Sequence, residues 1–433
     1  MASFSCPGGK KKPYKEKDHM TETKKSCVKC VLHTGVPGIT MNHEGLCTAC
    51  ESFNKFKAHE PKVKKYLIEE MENVFAAARK KERLYHAVVL FSGGKDSTVL
   101  LKMAKEKYGL RVLACSVMHP LVNDKAKKNM EEVTNKLNID LIKLYPDETL
   151  YRKAVQKGII DGPSYGLGEF FGCEVCSFFH FWMPIRYAMK MDIPVVLEGS
   201  DVSQTGEATF WQAERVRQDA KKGKKPFGGV HDLIRDTGGE AIKGSIYDYP
   251  EAEVLSEAYP TVISPFTFMD YDYRQNFSEI EKIGLKSSDF RTIYTNCSAT
   301  PFFSYFTLKK FDCVSYIKHY ATEVRRGYPN LMQHSVKDSD TADVLDKSIV
   351  ENMMEEYKNV VLYIVENKLN HENTSDSEKE KLKSMAPTYM NTFGEAVCDV
   401  FLHDVLDIPR LAAYFDIDLE DITNPKSLNM EKV

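Results

Sequence analysis

Ala87-Val88-Val89-Leu90-Phe91-Ser92-Gly93-Gly94-Lys95-Asp96-Ser97-Thr98-Val99-Leu100-Leu101 decides how this chain is read. An apolar run leads into two glycines and then into a second, mostly apolar stretch. That is the pattern of a buried strand, a tight turn and a helix. Adjacent glycines let the backbone turn sharply and let an anion come close to it. The free N–H groups and positive dipole end of the following helix favour a phosphate. Lys95 adds a point charge, and Ser92 and Ser97 add hydroxyl donors. The spacing is not GxxxxGK[ST], which needs more residues between its glycines and a Lys followed directly by Ser or Thr. Residues 92–97 are therefore a candidate phosphate site of another kind.

Outward from this loop, short apolar runs alternate with helical patterns. The sequence predicts strands at 86–91, 111–117, 139–144 and 193–198, with helices at 97–108, 124–137, 148–157 and 177–191. That alternation predicts an α/β fold, a doubly wound parallel sheet with helices on both faces. Ligands bind beyond the carboxyl ends of such strands, where residues 92–97 lie. Val195-Val196-Leu197-Glu198-Gly199-Ser200-Asp201 ends another strand there, and Asp201 is a candidate to orient substrate or a metal-bound phosphate. Residues 202–262 read as an irregular excursion. The flanks read as a disordered tail (1–25), a small cysteine module (26–55), a linker helix (56–84) and a helical carboxyl-terminal region (315–433).

The chain has 433 residues, 42% hydrophobic and 28% charged, the balance of a globular protein. No apolar run approaches a membrane span. The Lys-rich start has no apolar stretch, so it does not read as a secretory signal, and the expected location is the cytoplasm. A formal net charge of −3 gives no global support for nucleic-acid binding. The local basic runs at 10–12 and 221–225 read as solvated faces.

Eleven cysteines in such a chain are poor candidates for structural disulfides. Cys27, Cys30, Cys47 and Cys50 form two CxxC pairs with sixteen residues between them. This spacing suits tetrahedral thiolate coordination of Zn2+, although the same pairs could hold an iron–sulfur cluster. So short a module cannot bury enough apolar surface alone, and a metal would supply the missing stability. Cys173 and Cys176 form a further pair, placed just before the expected helix at 177, where thiolates ionise more easily. It reads as a redox dithiol or as half of a metal site lacking a ligand. Cys6, Cys115, Cys313 and Cys398 read as ordinary single cysteines.

Residues 92–97, Ser-Gly-Gly-Lys-Asp-Ser, resemble the signature of the PP-loop ATP pyrophosphatases. The resemblance implies an adenine nucleotide alpha hydrolase-like fold over 85–314 and cleavage of ATP between its α- and β-phosphates. It implies a cofactor site of Ser92, Gly93, Gly94, Lys95, Asp96 and Ser97, to which the strand-end reading adds Asp201, with Lys95 on the leaving pyrophosphate and Asp96 on Mg2+. The order of Cys27, Cys30, Cys47, Cys50, residues 92–97, Cys173 and Cys176 is similar to that of the cluster-dependent tRNA thiolation enzymes. This resemblance implies Cys297 as a third central cysteine, a 4Fe-4S cluster on Cys173, Cys176 and Cys297, and a catalytic set of Lys95, Asp96, Cys173 and Cys176. It implies a zinc-ribbon-like amino-terminal module, a tRNA or small-molecule amide substrate, a sulfur donor and a homodimer. The turn at 198–201 departs from the family's Gly-His-Asn type, and 315–433 does not look like its second zinc finger. Residues 27–50 also resemble the start of the N-acetyl sugar amidotransferases, an alternative that implies ammonia from a glutaminase partner.

Overall fold

The computed structural model describes residues 24–168, 171–286, 290, 296–327, 347–366, 380–381, 384–385 and 408–417. The apolar runs become strands β1 (Ala87–Leu90), β2 (Val112–Val117), β3 (Asp140–Leu144) and β4 (Val195–Leu197), joined by β5 (Phe210–Trp211) and β6 (Thr261–Ile263). The sheet order is β3-β2-β1-β4-β6-β5, parallel throughout except for β5 against β6. Successive side chains of a strand face opposite ways. Accordingly Val88, Leu113 and Val196 enter one core, and Ala87, Val89 and Leu197 enter the other. The α/β doubly wound, mostly parallel sheet is thus observed.

The helices are α1 (Thr48–Phe56), α2 (Glu60–Lys80), α3 (Lys95–Lys102), α4 (Asp124–Leu137), α5 (Glu148–Asp161) and α6 (Phe171–Lys190). After them come α7 (Val202–Thr205), α8 (Ala213–Ala220), α9 (Gly229–Gly238), α10 (Glu251–Val254), α11 (Tyr273–Lys282), α12 (Thr300–Phe311), α13 (Ile317–Arg326) and α14 (Lys347–Glu366). Helices α2, α3, α4 and α11 cover one face of the sheet, and α5, α6, α8, α9 and α12 cover the other. Local chemistry fixes several starts: Asn123 caps α4 through Ala126 N–H at 2.8 Å, and Asp147 caps α5 through Leu150 N–H at 2.7 Å. None of the described helices is long and apolar enough to cross a membrane.

Two expectations need correction. Helix α6 starts at Phe171, not at 177, so Cys173 and Cys176 sit inside its first turns, and Pro184 lies within it. Phe171 and Val175 are buried and extend the apolar face backwards through the cysteines. Residues 202–262 are not irregular: they contribute β5, β6, α8 and α9. Their buried positions, Val216 and Ala220, then Val230, Leu233 and Ile234, have helical spacing but are separated by charges that hide it. Residues 1–23 of the tail expected over 1–25, with Cys6, and Cys398 in the expected helical region lie outside the described residues. The closing helix Ile408–Phe415 stacks Phe415 on Phe302 at 5.8 Å.

The cysteine module is tied to the helices near the other end. Arg325 of α13 approaches the Cys30 sulfur at 3.7 Å, and Lys347 of α14 donates to the Cys27 carbonyl at 2.7 Å. Arg326 pairs with Glu60, and Lys24 pairs with Asp312 at 2.5 Å.

Candidate active site and metal centres

The sheet order reverses around β1 and β4, so the loops after these strands flank the crevice where a ligand binds in such folds. Gly93 has φ +77°, and a Cβ there would lie 2.5 Å from the Ala126 carbonyl oxygen, so only glycine fits. Asn129 donates to the Gly93 carbonyl at 3.1 Å and holds the turn against α4. Gly94 is the N-cap of α3, and its carbonyl accepts from the Thr98 and Ser97 hydroxyls at 2.8 and 3.2 Å. The Ser92 and Ser97 hydroxyls are 3.2 Å apart. The turn after β4 comes close: a Cβ on Gly199 would lie 3.0 Å from the Ser97 nitrogen.

The two charged loop residues are mutually paired. Buried Lys95 donates to both oxygens of Asp96, at 2.9 and 2.7 Å, and to the Tyr271 hydroxyl at 2.9 Å. Asp96 also accepts from Asn276 at 3.0 Å and from the Tyr271 hydroxyl. Burial, then the Asp96 charge, pushes the Tyr271 phenol well up, so it stays a donor. Asp201 is buried and caps α7 through Ser203 N–H. Its carboxyl is raised by burial first and by Asp96 second, and is lowered again by Ser203 and Lys95. Glu198, raised by burial, takes Ser200 and Ser264 hydroxyls at 2.5 and 2.7 Å.

A cavity of about 140 Å³ opens beside this loop. Ser92 and Asn296 line it on the loop side, and Cys173, Cys176 and Cys297 line it together. Residues 121–123 pin the Cys297 segment: Val122 bridges Cys297, Ser298 N–H donates to Leu121 O at 2.9 Å, and Asn123 N–H donates to Asn296 O at 3.3 Å. Burial pushes Cys176 up to about 12 and Cys173 well up, and the neighbouring thiols push the same way. Three thiols lining one cavity raise one another's cost of ionising, and thiolates are the usual ligands of an iron–sulfur group, so the donor set fits one.

Cys27, Cys30, Cys47 and Cys50 form a second centre, fully buried, with their sulfurs all within 4.8 Å of one another. Lys29 and Cys47 N–H groups donate to the Cys27 sulfur at 3.4 and 3.3 Å, and Cys50 N–H donates to the Cys47 sulfur at 3.4 Å. Donors aimed at sulfur favour thiolate. Hydrogen bonds between the thiols pull Cys47 down and push Cys30 up. This donor set fits a closed four-thiolate ion.

Sequence reasoning missed His119, Tyr151, His180, Tyr271, Asn276 and Asn296. His180 had a usable signal, four residues after Cys176 on one helix. His119 follows β2 at the strand end where ligands bind. Asn296 directly precedes Cys297, and Tyr151, Tyr271 and Asn276 come from segments with no local pattern of their own.

Residues 86–162 match the family model described as Queuosine biosynthesis protein QueC. The match runs from β1 through α5 and includes residues 92–97. The chain is also 34% identical over 135 residues to Uncharacterized protein MJ1599 of Methanocaldococcus jannaschii, covering 30% of this chain. It spans about half of that relative, 47% of its length. Among solved structures, the U34-tRNA thiolase NcsA from Methanococcus maripaludis with its [4Fe-4S] cluster overlaps 62% of this chain and 87% of its own. Identity is 16% and the TM-score 0.24, too loose a likeness to bear on function. The likeness to this family is therefore confined to the strand–loop–helix units that carry residues 92–97.

Proposed function

We propose that the chain uses ATP to adenylate a carbonyl or amide oxygen and then replaces that oxygen with sulfur. The observation that carries this reading is the meeting of Cys173, Cys176 and Cys297 in one cavity whose wall includes Ser92 of the nucleotide loop. ATP would lie with its phosphates over Gly93 and Gly94. Lys95 and the first N–H groups of α3 would stabilise the leaving pyrophosphate. Asp96, with Asp201 behind it, would hold Mg2+ through carboxylate oxygen once Lys95 turns to the phosphates. The substrate oxygen attacks the α-phosphorus and pyrophosphate leaves. Sulfide then attacks the carbon, a C–S bond forms, and the C–O bond breaks to release AMP.

In this reading Cys173, Cys176 and Cys297 would hold a 4Fe-4S cluster, whose chemistry there would be to supply the sulfur for transfer. The apolar walls, Phe91, Val117, Val122, Met130 and Phe303, exclude water that would hydrolyse the adenylate. Cys27, Cys30, Cys47 and Cys50 hold Zn2+ with no part in the reaction. The substrate is a tRNA base or a small-molecule amide, and the partner is a sulfur donor. Ammonia transfer is not favoured, because it has no use for three converging thiols.

The test is protein purified without oxygen. Iron, acid-labile sulfide and a visible charge-transfer band are expected in the wild type and lost in Cys173→Ser and Cys297→Ser. Colourless, iron-free wild-type protein, even after reconstitution with iron and sulfide, would remove the sulfur-transfer reading.

A further inference from the structure

Helix α6 turns more than cysteines towards the cavity. Residues 173, 176, 177 and 180 lie three or four apart on one helical stripe, and all four line the cavity. From the end of β2, His119 reaches the same wall. One donor atom each of His119, Cys176 and His180 lies within 4.8 Å of the other two. The His119 and His180 rings stand edge to face at 5.2 Å, and His119 stacks on Tyr151 at 5.2 Å. The Tyr151 hydroxyl donates to the Cys176 sulfur at 3.4 Å and lies 3.4 Å from His119 Nδ1, which accepts the Leu121 N–H at 3.2 Å, so one buried phenol touches two of the three groups. Outer oxygens of this kind fix the ring and thiolate of metal ligands.

We propose that His119, Cys176 and His180 bind a single zinc-like divalent ion, at a site separate from the four-thiolate centre. Two imidazoles and a thiolate suit a tetrahedral ion with one position left open, and they discriminate against hard ions that want oxygen. The site shares Cys176 with the three-thiol set, so one chain holds either the ion or the cluster. It uses neither Cys173 nor Cys297 and does not rest on the sulfur-transfer reading.

The test uses full-length protein, stripped of metal without oxygen and titrated with Co2+, whose visible ligand-field bands report its donors. The Cys27–Cys30–Cys47–Cys50 set takes one equivalent with an all-thiolate spectrum. A further equivalent with a mixed nitrogen–sulfur spectrum is expected. His119→Asn and His180→Asn should each lose it while keeping the all-thiolate bands and the wild-type circular dichroism. Cys297→Ser should keep it. If a His→Asn chain does not fold, His180→Cys should still bind, with a stronger thiolate charge-transfer band. The proposal is overturned if the wild type takes no further equivalent, if both Asn variants keep it, or if His180→Cys leaves the spectrum unchanged. Iron reconstitution separates the two ideas. A further cobalt without a chromophore sinks sulfur transfer and leaves this site standing. A chromophore without a further cobalt does the reverse.

Discussion

At Gly93 a left-handed backbone angle shapes the loop after β1. With φ at +77° and the Ala126 carbonyl where a Cβ would go, Gly93→Ala should cost about 1–2 kcal/mol from the left-handed conformation alone, with the clash adding to it. Urea unfolding should show the loss, and a midpoint equal to wild type would contradict this geometry. Lys95→Ala should lower AMP and pyrophosphate formation by roughly 10²–10³-fold, the usual effect of losing a preorganised donor to transition-state charge. Quantifying both products in the presence of substrate checks it, and ADP release by the wild type would show the wrong bond being cut. Asp201 gives a pH prediction. Its carboxyl is raised above 3.8, so folding stability is fullest below that value and is lost as pH rises through the raised folded value. Asp201→Asn keeps an N-cap acceptor but carries no charge, so it should not show this loss. Urea unfolding across that window should find the variant gaining on wild type as pH rises. The turn at 92–97 was legible because its strand, its two glycines and its helix follow one another in sequence. His119, Tyr271 and Asn276 were not, because their roles depend on which distant segment folds against them.

Among the elements, α6 shows where reading from sequence stops. The sequence predicts its start at 177, just after the cysteines. Burial of Phe171 and Val175 decides otherwise. Placing the pair on a rigid helix fixes the spacing of Cys173, Cys176 and His180 before any metal arrives. The excursion at 202–262 failed for the opposite reason, since charges between its few buried positions masked helices that tertiary packing makes stable. The cysteine module was legible from spacing alone. Chelating its ion, or Cys47→Ala, should unfold 26–55 while the sheet survives, because a segment this short depends on its metal. Hydrogen exchange resolved by peptide would check this. Protection unchanged in that segment after chelation would show that the module folds without metal.

On the scale of the whole molecule, the contacts of Arg325 and Lys347 join the cysteine module to helices some 300 positions further along the chain, and those of Arg326 with Glu60 and of Asp312 with Lys24 tie down the segments on either side of it. Chelation should therefore loosen α13 and α14 as well, and limited proteolysis should cut there sooner than in the metal-loaded protein. If only 26–55 became sensitive, the contacts would carry little coupling. These joins were not legible, because no local pattern says which surface a module will meet. The pinning of Cys297 by residues 121–123 has a further consequence, one of timing. Cys297 leaves the ribosome 121 residues after Cys176. At ordinary elongation rates this is roughly 6–24 s. For that interval the pocket lacks the wall that Asn296, Cys297 and Phe303 supply, and it can close only after they are made.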